Sequence, residues 1–391
     1  MGSRFWFLAG IVVPVLLLGL SACNNSTSSS ASGTGALFVA TQGDSSVSSF
    51  SIDLSTGLLT LNGGEVATGS VPSAMLLAPS GTVLFIANSG SNNISTYTVK
   101  SDGTLVAASG TPATGMTPLN MAMDSGGHFL FVANQGLQIS PNSGTISVFA
   151  VSGTTLTEVP GSPFVVAEPG APGGTGPSGV AVTPDGKFLY VSNQFDSTLT
   201  KFSVDGSGVL TRGPVVPVGT TPSTVAMTAD GGFLYVANAS TISAFAICNQ
   251  VLTSCSDPTS PDGSLTVVEG SPFPAGIEPV AIVAAPSGKF LYAVNRQSNQ
   301  VSQFKIATGT GVLTANTQAS ISTGGTPVGA TIRVGTTTIT ATGGITDYLY
   351  VPNLGASSVS VYSFDSTLGS LSLVGGPVSI TGGQPSAVAA E

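Results

Sequence analysis

The sequence predicts an all-β fold, and three observations lead to that prediction. A short apolar motif occurs seven times, beginning at residues 37, 84, 130, 189, 234, 291 and 349, with spacings of 45 to 59 residues. A segment such as "ISTYTV", in which apolar residues alternate with Ser or Thr, follows each copy. Glycine turns such as "PDG" and "PSG" precede most copies. Repeats of this length are typical of propeller blades, so we predict a seven-bladed β-propeller of four-stranded blades.

The strands of one blade can be ordered from their apolar patterns. The repeated motif, for example "FLYVSN" at 188–193, is apolar on both faces, as expected where a blade packs against a neighbour on each side. The alternating strand is expected nearer the rim, where one side meets water. A proline-led apolar strand precedes six of the copies and is predicted to lie nearest the centre.

The chain termini predict how the ring closes. The first copy has no proline-led strand before it, and the chain ends with "QPSAVAAE". We therefore predict that Pro385 to Ala390 forms the innermost strand of blade one. This strand would join the two ends of the chain and remove an open sheet edge.

Composition excludes one class of function. The 391 residues carry a formal net charge of −9, and only 7% of them are charged. Such a chain lacks the basic surface that nucleic acids require. We expect no nucleic-acid partner, no cofactor and a monomer.

The N-terminal residues predict export and a lipid anchor. Arg4 precedes 16 uncharged residues, Phe5 to Leu20, which fits a signal sequence and is short for a membrane-spanning helix. The run Leu20-Ser21-Ala22-Cys23 resembles the lipobox of bacterial lipoproteins, which implies that Cys23 is lipidated. The alternative is an ordinary secretory signal with a chance cysteine. With the lipobox we predict an exported protein of the bacterial cell envelope, lipid-anchored at the outer membrane or facing the periplasm, with the membrane as a partner through Cys23.

Domain organisation follows from this assignment. We predict a signal peptide at 1–22, a flexible Ser/Gly tether at 23–35 and the propeller at 36–391. The mature chain then has eight basic and eighteen acidic residues, a balance of −10. Its two cysteines, Cys248 and Cys255, are predicted to form a disulfide in an oxidising compartment, because their spacing without a nearby His is a poor zinc site. No metal site is predicted.

The signatures "PSGVAVTPDGKFLYVSN" and "GSPF" resemble lactonase-type and YVTN-repeat seven-bladed propellers. The resemblance covers roughly residues 36–391, and this group includes proteins similar to 6-phosphogluconolactonase. It implies polar residues near the centre, of which Asn295-Arg296 is present here. Ala239, Ala281 and Pro327-Val328 stand where the group has an acid, a second acid and Pro-Arg. The constellation that the resemblance implies is therefore incomplete.

The other catalytic residue types are sparse. His128, the only histidine, is expected in a solvated turn opposite the predicted pocket, so a Ser-His-Asp triad could not assemble there. Gly176-Pro177-Ser178-Gly179 falls short of a nucleophile elbow and is interpreted as structural. The asparagines that end six of the motifs are interpreted as residues that close strand ends by hydrogen bonding.

Strand direction predicts one face on which a ligand could bind. The residues before each proline and those after each Asn should share this face, and only Glu278 and Arg296 among them are charged. They form either a solvated ion pair or a ligand site in which Arg296 holds an anion and Glu278 acts as partner or base. Gln297 and Gln194 are further candidate ligand-binding residues.

Two functional hypotheses follow. The first is a lipid-anchored envelope propeller that binds a protein or a small ligand, such as a lactone or sugar, without catalysis. The second is a lactone hydrolase similar to 6-phosphogluconolactonase, acting through a reduced site in which Arg296 and Glu278 are the best catalytic candidates.

Overall fold

The computed structural model describes residues 34–140, 142–168, 170, 175–249, 262–333 and 346–391. Every regular element within these ranges is a β-strand, and the strands form seven antiparallel sheets arranged as the blades of a ring. All of them belong to one compact unit, Gly33–Glu391. The predicted all-β seven-bladed propeller is thus confirmed.

The strands are numbered along the chain. The first three blades contain β1 (Thr34–Thr41), β2 (Ser46–Asp53), β3 (Leu59–Leu61), β4 (Val66–Ala67); β5 (Pro72–Leu77), β6 (Val83–Asn88), β7 (Asn93–Val99), β8 (Leu105–Ala107); β9 (Pro118–Met123), β10 (Phe129–Asn134), β11 (Thr145–Ser152), β12 (Thr155–Glu158), β13 (Phe164–Val165). Blades four and five contain β14 (Pro177–Val182), β15 (Phe188–Asn193), β16 (Thr198–Val204), β17 (Leu210–Pro217); β18 (Thr224–Met227), β19 (Phe233–Ala237), β20 (Thr241–Ile247), β21 (Leu265–Val267), β22 (Phe273–Pro274). The last strands are β23 (Pro279–Ala284), β24 (Phe290–Asn295), β25 (Gln300–Ile306), β26 (Leu313–Ser322); β27 (Thr331–Arg333), β28 (Thr346–Asn353), β29 (Ser358–Asp365), β30 (Leu371–Leu373), β31 (Val378–Ser379); and β32 (Pro385–Ala390).

The ring closes through blade one, as predicted. Its sheet has the order β3-β2-β1-β32, so the last strand of the chain lies beside the first. The register runs from Leu37 opposite Ala390 to Thr41 opposite Pro385, and the Glu391 amide donates to the Ala36 carbonyl at 2.9 Å. The C-terminal strand therefore supplies the innermost strand of a blade whose other strands come from the N-terminus.

Packing between blades explains the apolar pattern of the repeated motif. Strand β24 is buried at every position, because its two faces contact different neighbours. Leu291 packs in the core between blades five and six, while Tyr292 packs between blades six and seven. A strand buried on both faces has no polar side, which is why the motif does not alternate.

Tyrosine hydroxyls connect successive blades at three of these interfaces. The hydroxyls of Tyr190, Tyr235 and Tyr292 donate to the carbonyls of Gly263, Gly311 and Gly369 in the next blade, at 2.6, 2.9 and 2.9 Å. Gly311 has a φ of +71°, and a Cβ there would stand 2.2 Å from the Phe233 ring. Only glycine fits that close approach. The equivalent Tyr350 hydroxyl has no hydrogen-bond partner among the described residues.

The two faces of the ring differ in what they carry. Strands such as β23 begin at a proline on one face, which we call the mouth face, and their partners, such as β24, end at an asparagine on the same face. Gly-containing hairpin turns lie on the opposite turn face. The register places Thr34, where β1 begins, at its turn-face end. His128 lies in a hairpin turn of this face beside Asp124, with 74% of its side chain exposed, as predicted.

Removing one interblade tyrosine hydroxyl should weaken the fold by a measurable amount. Tyr235→Phe leaves the Gly311 carbonyl without its buried donor, so we expect a loss of about 0.5–1.5 kcal/mol in the free energy of unfolding. Urea denaturation followed by fluorescence measures this change. Tyr350→Phe is the matched control, because it removes a hydroxyl without a described partner. Equal effects of the two substitutions would contradict this role for the hydrogen bond.

Candidate ligand-binding channel and its mouth

The innermost strands surround a central channel. Its volume is about 500 Å³, and its lining contains aliphatic, methionine and small neutral polar residues. No charged residue and no histidine occurs among the described residues of the lining. The lining consists of Ser73, Ala74, Met75, Leu76, Leu119, Asn120, Met121, Ser178, Val180, Gln194, Ser223, Thr224, Val225, Val280, Ala281, Ile282, Val283, Val328, Gly329, Ala330, Ser386, Ala387 and Val388.

Backbone groups supply much of the channel's hydrogen-bonding capacity. Each innermost strand is the last strand of its sheet, so one of its edges has no strand partner among the described residues. The N–H and C=O groups on such an edge must find other partners, such as water or a ligand. The channel is thus uncharged and still polar along these edges.

Serine side chains in the channel serve the contacts between blades. The Oγ atoms of Ser73, Ser178 and Ser223 donate to the carbonyls of Pro118, Pro222 and Pro279 in the next blade, at 2.6, 2.8 and 2.6 Å. No described histidine lies near them to accept their protons, since His128 is on the turn face. These hydroxyls are therefore arranged as structural donors and lack the partner that a nucleophilic serine needs.

Two rings of residues form the mouth. The first ring contains the residues before the prolines, and its non-glycine members have positive φ values of 45–59°. The second ring contains the residues after the motif, and most of their amides donate to first-ring carbonyls, as Arg296 does to Glu278 at 2.8 Å. Only Glu278 and Arg296 are charged. The first ring is Val71, Thr117, Gly176, Thr221, Glu278, Thr326 and Gln384; the second is Gln42, Ser89, Gln135, Gln194, Ala239, Arg296 and Leu354.

The two charged residues of the mouth are paired with each other. Arg296 Nη2 donates to Glu278 Oε1, and the two side chains are 43% and 41% exposed. Neither residue lines the channel. The structure therefore brings the two predicted residues together at the rim, in a solvated ion pair.

The two predicted glutamines lie in different surroundings. Gln194 lines the channel, and its Oε1 accepts a hydrogen bond from Gln135 Nε2 at 2.6 Å, which links blades three and four across the mouth. Gln297 is exposed, and its backbone amide donates to the Ile277 carbonyl at 3.3 Å, outside the channel. Of the four predicted ligand-binding residues, only Gln194 contacts the cavity.

The asparagines that end the motif are structural in six blades. Asn295 is fully buried, and its Nδ2 donates to the Ala293 and Gln300 carbonyls and to Ser302 Oγ at 3.0–3.2 Å. A Cβ on Gly276 would approach within 2.4 Å of the Asn295 amide carbon, so the preceding turn packs directly on this side chain. Blade one has Thr41 instead, which bonds Asp44 and Ser46. This repetition confirms the interpretation that these residues close strand ends.

Carboxyl groups with shifted pKa values lie on the mouth face. Burial raises the pKa of Asp196, although Thr198 Oγ1 donates to it at 2.7 Å. Burial, followed by the nearby Asp44 charge, raises the pKa of Glu65. For Asp44 itself, burial acts upward, but hydrogen bonds from Thr41, Ser46 and Glu65 together lower the pKa. These shifts arise from local packing and hydrogen bonds beside the mouth and do not involve the channel lining.

Sequence reasoning did not identify most of the channel lining. Met75, Asn120 and Met121 line the channel because of strand register, which the sequence pattern does not reveal. The channel serines could have been recognised from the sequence, because the dipeptide Pro-Ser recurs in four innermost strands or just before them. These serines are Ser73, Ser178, Ser223 and Ser386.

Two kinds of site are absent from the described part of the chain. No group of three His, Cys, Asp or Glu residues there could hold a metal ion. No described helix has the length and apolar character to cross a membrane. Cys248 is buried after β20, but Cys255 and Cys23 lie outside the described residues, so the disulfide and the lipid anchor stay predictions.

Seven radial sheets around a central cavity define the class of protein: a seven-bladed propeller whose described channel lining contains no charged residue. The family described as "Lactonase, 7-bladed beta-propeller" matches residues 65–159, 142–257 and 264–388. The chain therefore belongs to this lactonase propeller family. No protein among curated sequences matches it.

Solved structures share the fold over nearly the whole chain. A Bacteroides fragilis protein named provisionally as a 6-phosphogluconolactonase has a TM-score of 0.70 at 22% identity, over 93% of this chain and 99% of that one. The periplasmic gluconolactonase of Pseudomonas aeruginosa has a TM-score of 0.70 at 21% identity, over 91% and 99%. A protein from Lactobacillus plantarum has a TM-score of 0.70 at 19% identity, over 92% and 99%. At these identities the similarity shows the fold.

Substitutions of the adjacent residues Asn295 and Arg296 should differ in their effect on the free energy of unfolding, because one residue is buried and structural and the other lies at the exposed rim. Asn295→Ala removes a buried amide and its hydrogen bonds, so we expect the free energy of unfolding to fall by about 2 kcal/mol or more. Arg296→Ala removes half of a solvated ion pair and should change the free energy of unfolding by less than about 1 kcal/mol. Chemical denaturation of both variants measures the difference. A larger loss from Arg296→Ala would show that the ion pair is structural.

Proposed function

We propose that the protein is a lipid-anchored binding module of the bacterial cell envelope, whose central channel holds a small ligand without converting it. The observation that carries the proposal is the channel of about 500 Å³ with an uncharged lining. This volume lies within the range of about 300–1,000 Å³ that is usual for small-molecule sites.

The chemistry of the lining favours binding over catalysis. General acid–base catalysis needs a titratable group within hydrogen-bond reach of the reacting atom. The described lining offers amides, hydroxyls and backbone groups, and three of its serine hydroxyls already donate to neighbouring blades. Such groups can orient a ligand, but amides and aliphatic hydroxyls do not titrate near neutral pH as a general acid or base does.

The lipid anchor in this proposal is supported by the lipobox-like run Leu20-Ser21-Ala22-Cys23. Mass spectrometry of the mature N-terminus tests this part of the proposal, since an unmodified Cys23 would exclude the lipid anchor.

A second candidate function is lactone hydrolysis at a reduced site around Arg296. Family membership favours it, together with the position of Arg296 and Glu278 at the channel mouth. This activity predicts conversion of sugar lactones above the spontaneous rate and its loss in Arg296→Ala. Hydrolysis by the intact protein at only the spontaneous rate would exclude it for the lactones tried.

Filling the channel should abolish ligand binding while the fold persists. Val280 is half-buried and lines the channel, so Val280→Trp places an indole in the cavity. A thermal-shift screen of lactones, sugars, phosphosugars and envelope polysaccharides first identifies a ligand; the shift should then disappear in this variant. Val267→Trp is the matched control, because Val267 is 63% exposed on β21 at the outer edge of its blade. An unchanged shift in a folded Val280→Trp protein would place the ligand outside the channel.

A further inference from the structure

We propose that Glu278 makes the mouth selective for uncharged ligands by neutralising Arg296, the one cationic side chain of the two mouth rings. The inference rests on the proposed channel function and adds the ligand class. It assigns Glu278 a role in specificity, with no part in chemistry.

The backbone holds this ion pair in place. The Arg296 amide donates to the Glu278 carbonyl at 2.8 Å, while the guanidinium donates to the Glu278 carboxylate. Glu278 has a φ of +59° and is followed by Pro279, which pairs with Asn295 in the sheet. Glu278 precedes one strand and Arg296 follows the strand paired with it, so the two residues lie side by side. Because the sheet already holds both backbones, their contact needs little further ordering of the chain.

An anion arriving at the mouth would find no free cation in the two rings. It could bind Arg296 only by displacing the Glu278 carboxylate or by sharing the guanidinium with it. Arg212, in the outer strand of blade four, is also unavailable to such an anion, because it pairs with Glu168 and its side chain is only 20% exposed. The surrounding charge adds to this barrier.

Further acidic residues lie on the mouth face among the described residues. Asp44 and Glu65 in blade one and Asp196 in blade four lie beside the rings. The sequence has nine basic and eighteen acidic residues, so the overall field also repels anions. A phosphorylated ligand would enter against this field and then reach a channel with no described cation.

The channel suits an uncharged, hydroxylated molecule. Free strand edges present both donors and acceptors, and Asn120 and Gln194 add side-chain amides. Hydroxyl groups can satisfy donors and acceptors alike, whereas a phosphate offers mainly acceptors and needs cationic partners. A sugar-sized polyol without phosphate is the ligand chemistry that these groups recognise.

Freeing Arg296 should create an anion site that the natural protein lacks. We expect Glu278→Gln to bind inorganic phosphate at least about fivefold more tightly than the unsubstituted protein, as measured by calorimetry at low salt. Glu269→Gln is the matched control, since it changes net charge equally at an exposed position outside the mouth rings. The double variant Glu278→Gln/Arg296→Gln should lose the gain.

The results separate this inference from the proposed function. Equal phosphate affinities of the unsubstituted protein and Glu278→Gln, or an equal gain in Glu269→Gln, would overturn it. Glucitol and glucitol 6-phosphate form a second comparison, in which the unsubstituted protein should prefer glucitol; a preference for the phosphate would also overturn it. If the phosphate site appears as expected but Val280→Trp leaves ligand binding unchanged, charge selection stands and the channel function fails.

Discussion

The structure depends on one constraint: each blade is apolar on both faces and can be buried only between two other blades. The repeated motif shows this directly, since β24 has no exposed side chain. An open row of such blades would leave two apolar faces in water. Closure by β32 removes both faces at once, and the channel at the centre follows from the ring.

Closure also explains where the polar side chains are used. Hydroxyl groups form hydrogen bonds between blades. Tyrosine hydroxyls on the second strands and serine hydroxyls at the innermost strands each donate to a carbonyl of the next blade. Buried asparagines hold the strand ends at the mouth. Most polar groups near the centre therefore serve the fold, which leaves backbone edges, a few amides and one ion pair for recognition.

The sequence predicted the fold well because the fold is periodic. Seven copies of one motif identified the blades, and the missing first strand predicted β32 with its observed bounds. Strand direction alone placed Glu278 beside Arg296 and His128 on the other face. These predictions succeeded because each needed only the order and direction of strands.

The candidate site was less predictable because it depends on register and side-chain direction. Met75 and Met121 follow an ordinary strand pattern, and nothing in that pattern distinguishes the channel from a blade interface. Gln297 stays a candidate ligand-binding residue, but β24 ends at Asn295 and the following turn places Gln297 on the surface, outside the channel lining. The pairing of Gln135 with Gln194 depends on two different blades and has no local signal.

The most direct test of a binding channel is a crystal structure with a ligand identified by the thermal-shift screen. We expect the ligand between the innermost strands, bonded to their free backbone edges and to Gln194. A ligand held by the Arg296 guanidinium outside the channel, or found there as a hydrolysed product, would contradict it.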